Sequence, residues 1–135
     1  DRQPAQPMTV AEAARLPLAM PSKNHGLRIL VDAAFDRAGV EPAITLEIDG
    51  LTTLMDIVLA QEIATIQPGV AAGRLHDELC LYPLDDPYLH RRNVVTSVSD
   101  DELSPAALAA RVVLTDLMRS LARDGQWPGA RLCEP

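Results

Sequence analysis

At 135 residues the chain has room for one domain with a sizeable core, and its 47% apolar and 23% charged residues are ordinary for a globular protein. Aromatics make up only 3%, so the core is aliphatic and a base-stacking nucleic-acid surface, which needs exposed rings, is disfavoured. The net charge of −7, with no Lys/Arg run longer than Arg91-Arg92, argues against direct attraction to phosphate backbones or anionic membranes.

The chain opens on "DRQPAQP", and residues 1–8 read as a linker, as in a piece cut from a longer protein. No basic-then-apolar signal pattern occurs, and no apolar run approaches the roughly 20 residues of a membrane span. A cytoplasmic protein is expected. Thr9 and Glu12 form a capping-box pattern that starts a short helix. Residues 16–20 read as a strand closed by Pro21. From Asn24 to Ala38, apolar residues recur at Leu27, Leu30, Val31, Ala34 and Ala38, one face of a helix that Gly39 is placed to end.

"AITLEI" (43–48) alternates as a half-buried or edge strand does, and Asp49-Gly50 turns it into a helix over about 51–61. The expected inward residues are Leu51, Leu54, Val58 and Leu59. "EIATIQP" (62–68) reads as a third strand, followed by a short helix or turn to about Leu75. "LCLYPL" (79–84) and "NVVTSVS" (93–99) read as two more strands around the turn-rich "DDPYLHRR". Ser104-Pro105 starts a helix running to about Asp124, inward at Ala107, Ala110, Leu114, Leu117 and Leu121, and 125–135 is a tail. Cys80, among apolar neighbours, reads as inert core; it and Cys133 lack metal-ligand spacing and suit a reducing compartment better than a disulfide.

Strands alternating with helices imply an α/β fold with parallel strands and right-handed crossovers. In such sheets ligands bind at the carboxyl ends of the strands. Here those ends are Pro21-Ser22, Asp49-Gly50 and Pro68-Gly69. Side by side, they would form a small, donor-rich hollow suited to a polar or anionic molecule. Lys23, His25 and Arg28 crowd the start of the 24–38 helix, where cations are ordinarily unfavourable. With Ser22 as the N-cap, a bound carboxylate, phosphate or sulfate would account for them. The simpler reading pairs Arg28 with Asp32 one turn on and leaves Lys23 and His25 in solvent.

Catalysis finds little support. There is no G-x-S-x-G elbow, no G-x-x-x-x-G-K and no G-x-G-x-x-G, and Ser22 with His25 lacks an orienting acid. "HDE" (76–78) reads as a solvated loop, since adjacent residues converge poorly on a metal. No metal and no cofactor are implied.

Four ordered segments carry a family resemblance: "LPLAMPSKNHGLRILVDAAFDRAGVEP", "EIDGLTTLMDIVLAQEIATIQP", "LYPLDDPYLHRRNVV" and "LSPAALAARVVLTDLMRSL". Together they resemble the effector-binding, or substrate-binding, domain of LysR-type transcriptional regulators. The resemblance implies a periplasmic-binding-protein-like (type 2) fold, with a small-molecule effector held between two lobes. On that reading 9–75 form the second lobe as a Rossmann-like, parallel-rich unit, and 76–124 the returning strands and C-terminal helix of the first. Ser22, Lys23, His25, Asp49, Gly50, Gln67, Pro68 and Gly69 then border the effector site. The resemblance further implies a dimer or tetramer that meets DNA only through a winged helix-turn-helix domain upstream, with no membrane contact. Gln61 and Ile63 stand where the family usually has glycines, which points to an altered helix stop. A transport solute-binding protein of similar fold, and a domain that only oligomerises, are the alternatives.

Overall fold

Leu18, Ala19 and Met20 are each at most 1% exposed, and the first part of the chain is organised around them. They form the strand β1 (Leu18–Met20), whose side chains alternate between two faces. Leu18 and Met20 pack with Val10, Ala14, Leu27, Val31, Ala34 and Phe35 on one side. Ala19 packs with Leu54 and Met55 on the other. The first set comes from α1 (Val10–Ala13) and α2 (Gly26–Ala38) with the residue after α1, the second from α3 (Leu51–Ala60). Burial on both faces explains why β1 is apolar throughout, as parallel strands flanked by helices are.

This computed structural model describes residues 6–75 and 78–133. The chain divides into two compact units, Asp1–His90 and Arg91–Pro135.

In the first unit, α1 is closed by the capping box expected at Thr9. The Thr9 hydroxyl accepts from the Glu12 N–H at 3.2 Å, and the Thr9 N–H donates to Glu12 Oε2 at 2.8 Å. β1 pairs in parallel with β2 (Ile44–Glu47) in the register Leu18↔Ile44, Ala19↔Leu46, Met20↔Glu47. The extra residue in that register is Thr45, whose hydroxyl donates to the Leu18 carbonyl at 3.3 Å. α2 ends at Gly39 with φ 65°, where the Gly39 and Val40 N–H groups reach back to the Asp36 and Phe35 carbonyls. This is the Schellman arrangement, and glycine suits its left-handed residue.

Several expected elements differ. The 62–68 strand contracts to a bridge in which Ala64 lies parallel to Leu18, held by Ala19 N–H to Ala64 O and Ala64 N–H to Pro17 O. The 79–84 strand contracts to one parallel bridge, Leu84 with Met8. Residues 93–99 form no strand, and their valines are exposed. A strand exists only where a neighbour takes up its N–H and C=O groups, and the described residues supply no such neighbour at 93–99. Cys80 is exposed, not core. On α3, Leu54 and Met55 are buried while Leu51 and Leu59 face out, because the burying surface is the single residue Ala19 and its surroundings. α3 stops at Gln61 in an extended conformation, without a left-handed residue at its end.

A 3₁₀ segment, Gly69–Leu75, follows, kinked at Gly73. In the second unit α4 (Pro105–Arg123) starts as expected, with the Ser104 hydroxyl accepting from the Ala107 N–H and Pro105 in the first turn. Arg111 pairs with Asp100 at 2.7 Å and donates to the Ser97 hydroxyl at 3.0 Å. No residue of α4 is buried. Of the face expected to point inward, Ala107, Ala110, Leu114 and Leu117 are exposed and Leu121 half-buried. No helix is long and apolar enough to cross a membrane, among the described residues.

Candidate functional site

The chain leaves β1 through Pro21 and Ser22, and leaves β2 through Ile48, Asp49 and Gly50. The Ile48 N–H donates to the Met20 carbonyl at 2.9 Å, so the two strands stay paired up to their carboxyl ends. There Asp49 reaches across, and its Oδ1 accepts from the Ser22 N–H at 2.9 Å. That backbone bond first, and the Ser22 hydroxyl second, hold the Asp49 carboxyl below the ordinary carboxylate range. Ser22 and Asp49, two of the expected site residues, thus touch.

Gly50 is the N-cap of α3 and has no side chain to close it. Its φ of −77° is open to any residue, and an added Cβ would meet Thr53 Oγ1 at an ordinary 3.6 Å. Gln67 donates to the Thr65 hydroxyl at 3.3 Å, the Pro68 carbonyl accepts from the Ala71 N–H, and Gly69 opens the 3₁₀ segment. The parallel bridge Leu18↔Ala64 directs residues 67–69 toward the same end of the sheet. Among the described residues no hydrogen bond joins them to Ser22 or Asp49.

The three cations at the start of α2 resolve differently. Ser22 is not the N-cap: it opens a turn in which the His25 N–H donates to the Ser22 carbonyl, and α2 begins only at Gly26. His25 is the cap, its Nδ1 accepting from the Leu27 N–H at 3.2 Å. The turn delays the helix by three residues. Replacing His25 with alanine is expected to destabilise the unit by about 1 kcal/mol, with His25→Ser recovering most of it, as read by denaturant unfolding.

Lys23, in that turn, lines a shallow concavity of about 450 Å³ along β2, shared with Arg28, Glu41, Pro42, Thr45 and Glu47. Arg28 is 4% exposed, and its guanidinium is taken up by acceptors of the protein. It donates to Asp32 at 2.8 Å, to Glu47 at 2.9 Å and to the Pro21 carbonyl at 3.0 Å. Burial disfavours its charge, but the two carboxylates more than offset this and raise its pKa. The Asp32 partner was legible one turn on. Glu47 and Pro21 were not, because the sheet brings them in.

A second polar cluster escaped the sequence. Arg37, near the end of α2, donates to Asp86 at 2.7 Å and stands 5.3 Å from the centre of the Tyr88 ring. The Arg37 guanidinium, then the Tyr88 N–H, hold the Asp86 carboxyl below its ordinary value. A depressed carboxyl contributes stability that is complete above about pH 4 and fades as pH falls through the folded-state value. Thermal unfolding between pH 7 and pH 3 should therefore show a shallower acid decline in Asp86→Asn than in the parent chain. His76 and Asp77 of the "HDE" loop lie outside the described residues, and among those described no group of three His, Cys, Asp or Glu is placed to hold a metal.

The candidate site is thus two strand ends tied by Ser22 and Asp49 with an uncapped helix start at Gly50, and the Pro68-Gly69 turn follows a segment bridged in parallel to β1. It offers backbone donors and one carboxylate. A family model described as LysR substrate binding domain matches residues 2–119. No curated protein and no solved structure gives a significant match.

Proposed function

Because the chain belongs to the LysR substrate-binding domain family, we propose that it is the effector-sensing domain of a bacterial LysR-type transcription regulator. That family is regulatory rather than catalytic. The effector would be a small anionic metabolite held at the carboxyl ends of the strands, near Ser22, Asp49, Gly50 and Gly69. Lys23 and His25 would supply positive potential beside it, and Gln67 and Pro68 a wall. In this reading 9–75 supply the second lobe of a periplasmic-binding-protein-like fold, and 76–124 the returning part of the first. DNA would be met through a separate winged helix-turn-helix domain, in the cytoplasm.

The family match carries this reading. The meeting of Ser22 with Asp49 supports the location, since open α/β sheets bind ligands at this end. Effector binding would act by shifting a population between two arrangements, without chemistry. Assembly into a dimer or tetramer is part of the proposal, supported by apolar side chains left on the surface of α4: Val113, Leu114 and Leu117 are 66%, 47% and 52% exposed.

The test is a thermal-shift screen of small organic acids against the chain, with Ser22→Ala alongside. An acid at a hundred times its Kd is expected to stabilise the parent by about 2.7 kcal/mol. The shift should shrink in the variant. Shifts that ignore the substitution would show that the ligand makes no use of the Ser22 hydroxyl.

A further inference from the structure

We infer that Asp49 is a built-in competitor for the anion seat at Ser22, so that an anionic ligand gains this backbone donor only by displacing the Asp49 carboxylate. The inference rests on the effector-binding reading above and concerns the same strand ends. Ser22 has one N–H, and Asp49, 27 residues later, already holds it at 2.9 Å. A second anion sharing that donor would lie about 3–4 Å from the first, where like charges repel. Asp49 is also tethered, by the pairing of β1 with β2 through Ile48 and Met20. A tethered group competes at an effective concentration in the millimolar range or above, which a free monoanion with few other contacts does not match.

The consequence is selectivity. The Asp49 carboxylate screens out simple inorganic anions and admits only ligands with enough further contacts to displace it. Asp49 is therefore a specificity-determining residue, and its charge opposes the ligand that the neighbouring donors favour.

The 135-residue chain and its Asp49→Ala and Asp49→Asn variants are to be titrated with sulfate and with citrate, following the backbone amide signals by NMR. Sulfate is expected to bind Asp49→Ala about tenfold or more tighter than the parent, with Asp49→Asn in between and the Ser22 amide among the signals that move most. Equal or tighter binding by the parent at Ser22, or anion shifts remote from Ser22, would overturn the inference while leaving effector binding intact. No binding of either anion by any of the three would remove the anion-site reading and the inference with it. If Asp49→Ala does not fold, Asp49→Asn decides alone: a gain of about threefold supports the competitor, and no gain overturns it.

Discussion

Phe35→Ala is expected to destabilise the first unit by about 3–5 kcal/mol, the range for truncating a buried aromatic. Phe35 is 2% exposed and packs in the cluster that joins α1, α2 and β1. Removing its ring leaves a cavity between a helix and the one strand buried on both faces, and neither can move in without breaking the β1–β2 register. A loss of this size is a large part of the roughly 5–15 kcal/mol available to an ordinary domain. The free energy of opening at the Ala19 amide, from native-state hydrogen exchange, is the measurement. Leu117→Ala in α4 is the contrast. Leu117 is 52% exposed, and its truncation should change stability by no more than about 0.5 kcal/mol in a monomer. A clearly larger cost for Leu117→Ala, growing with protein concentration, would show that another copy covers that face.

Arg28→Leu is the second large effect, expected at about 2–3 kcal/mol. Breaking a fully buried ion pair costs about 3–5 kcal/mol. Here the carboxylates left behind, Asp32 and Glu47, have side chains 37% and 47% exposed and can be rehydrated. The Pro21 carbonyl, bonded to Arg28 in a buried position, loses its partner as well. Arg28→Lys should recover only part of the loss, since one ammonium does not reproduce the planar fork that reaches three acceptors. Denaturant midpoints of the three proteins read this directly. The Pro21 bond lies immediately before Ser22, so faster amide exchange at Ser22 in Arg28→Leu is expected alongside. If exchange there is unchanged while stability falls, Arg28 holds the helix to β2 but does not position the site.

What was legible in the sequence was whatever closes within a few residues. The Thr9–Glu12 box, the Gly39 stop and the Ser104-Pro105 start each depend on groups three to five positions apart, and each is present. The βαβ rhythm was legible because periodicity reports which side of an element is buried. The cap of α2 was misassigned for an equally local reason. Ser22 is the better capping residue, but the turn from Ser22 to His25 delays the helix, and histidine takes its place.

The sequence by itself settled the helices, the caps at Thr9, Gly39 and Ser104, and the family resemblance. Only the tertiary structure decided which strands exist, what Arg28 binds and which anion sits at Ser22. β1 survives because β2 and Ala64 supply partners on its two sides, whereas 93–99 has none among the described residues. Arg28 meets Glu47 and Ser22 meets Asp49 across separations of 19 and 27 residues. Helical caps are decided by neighbours along the chain, but ladders and cross-strand ties are decided by whatever the fold brings alongside, and no local pattern encodes that.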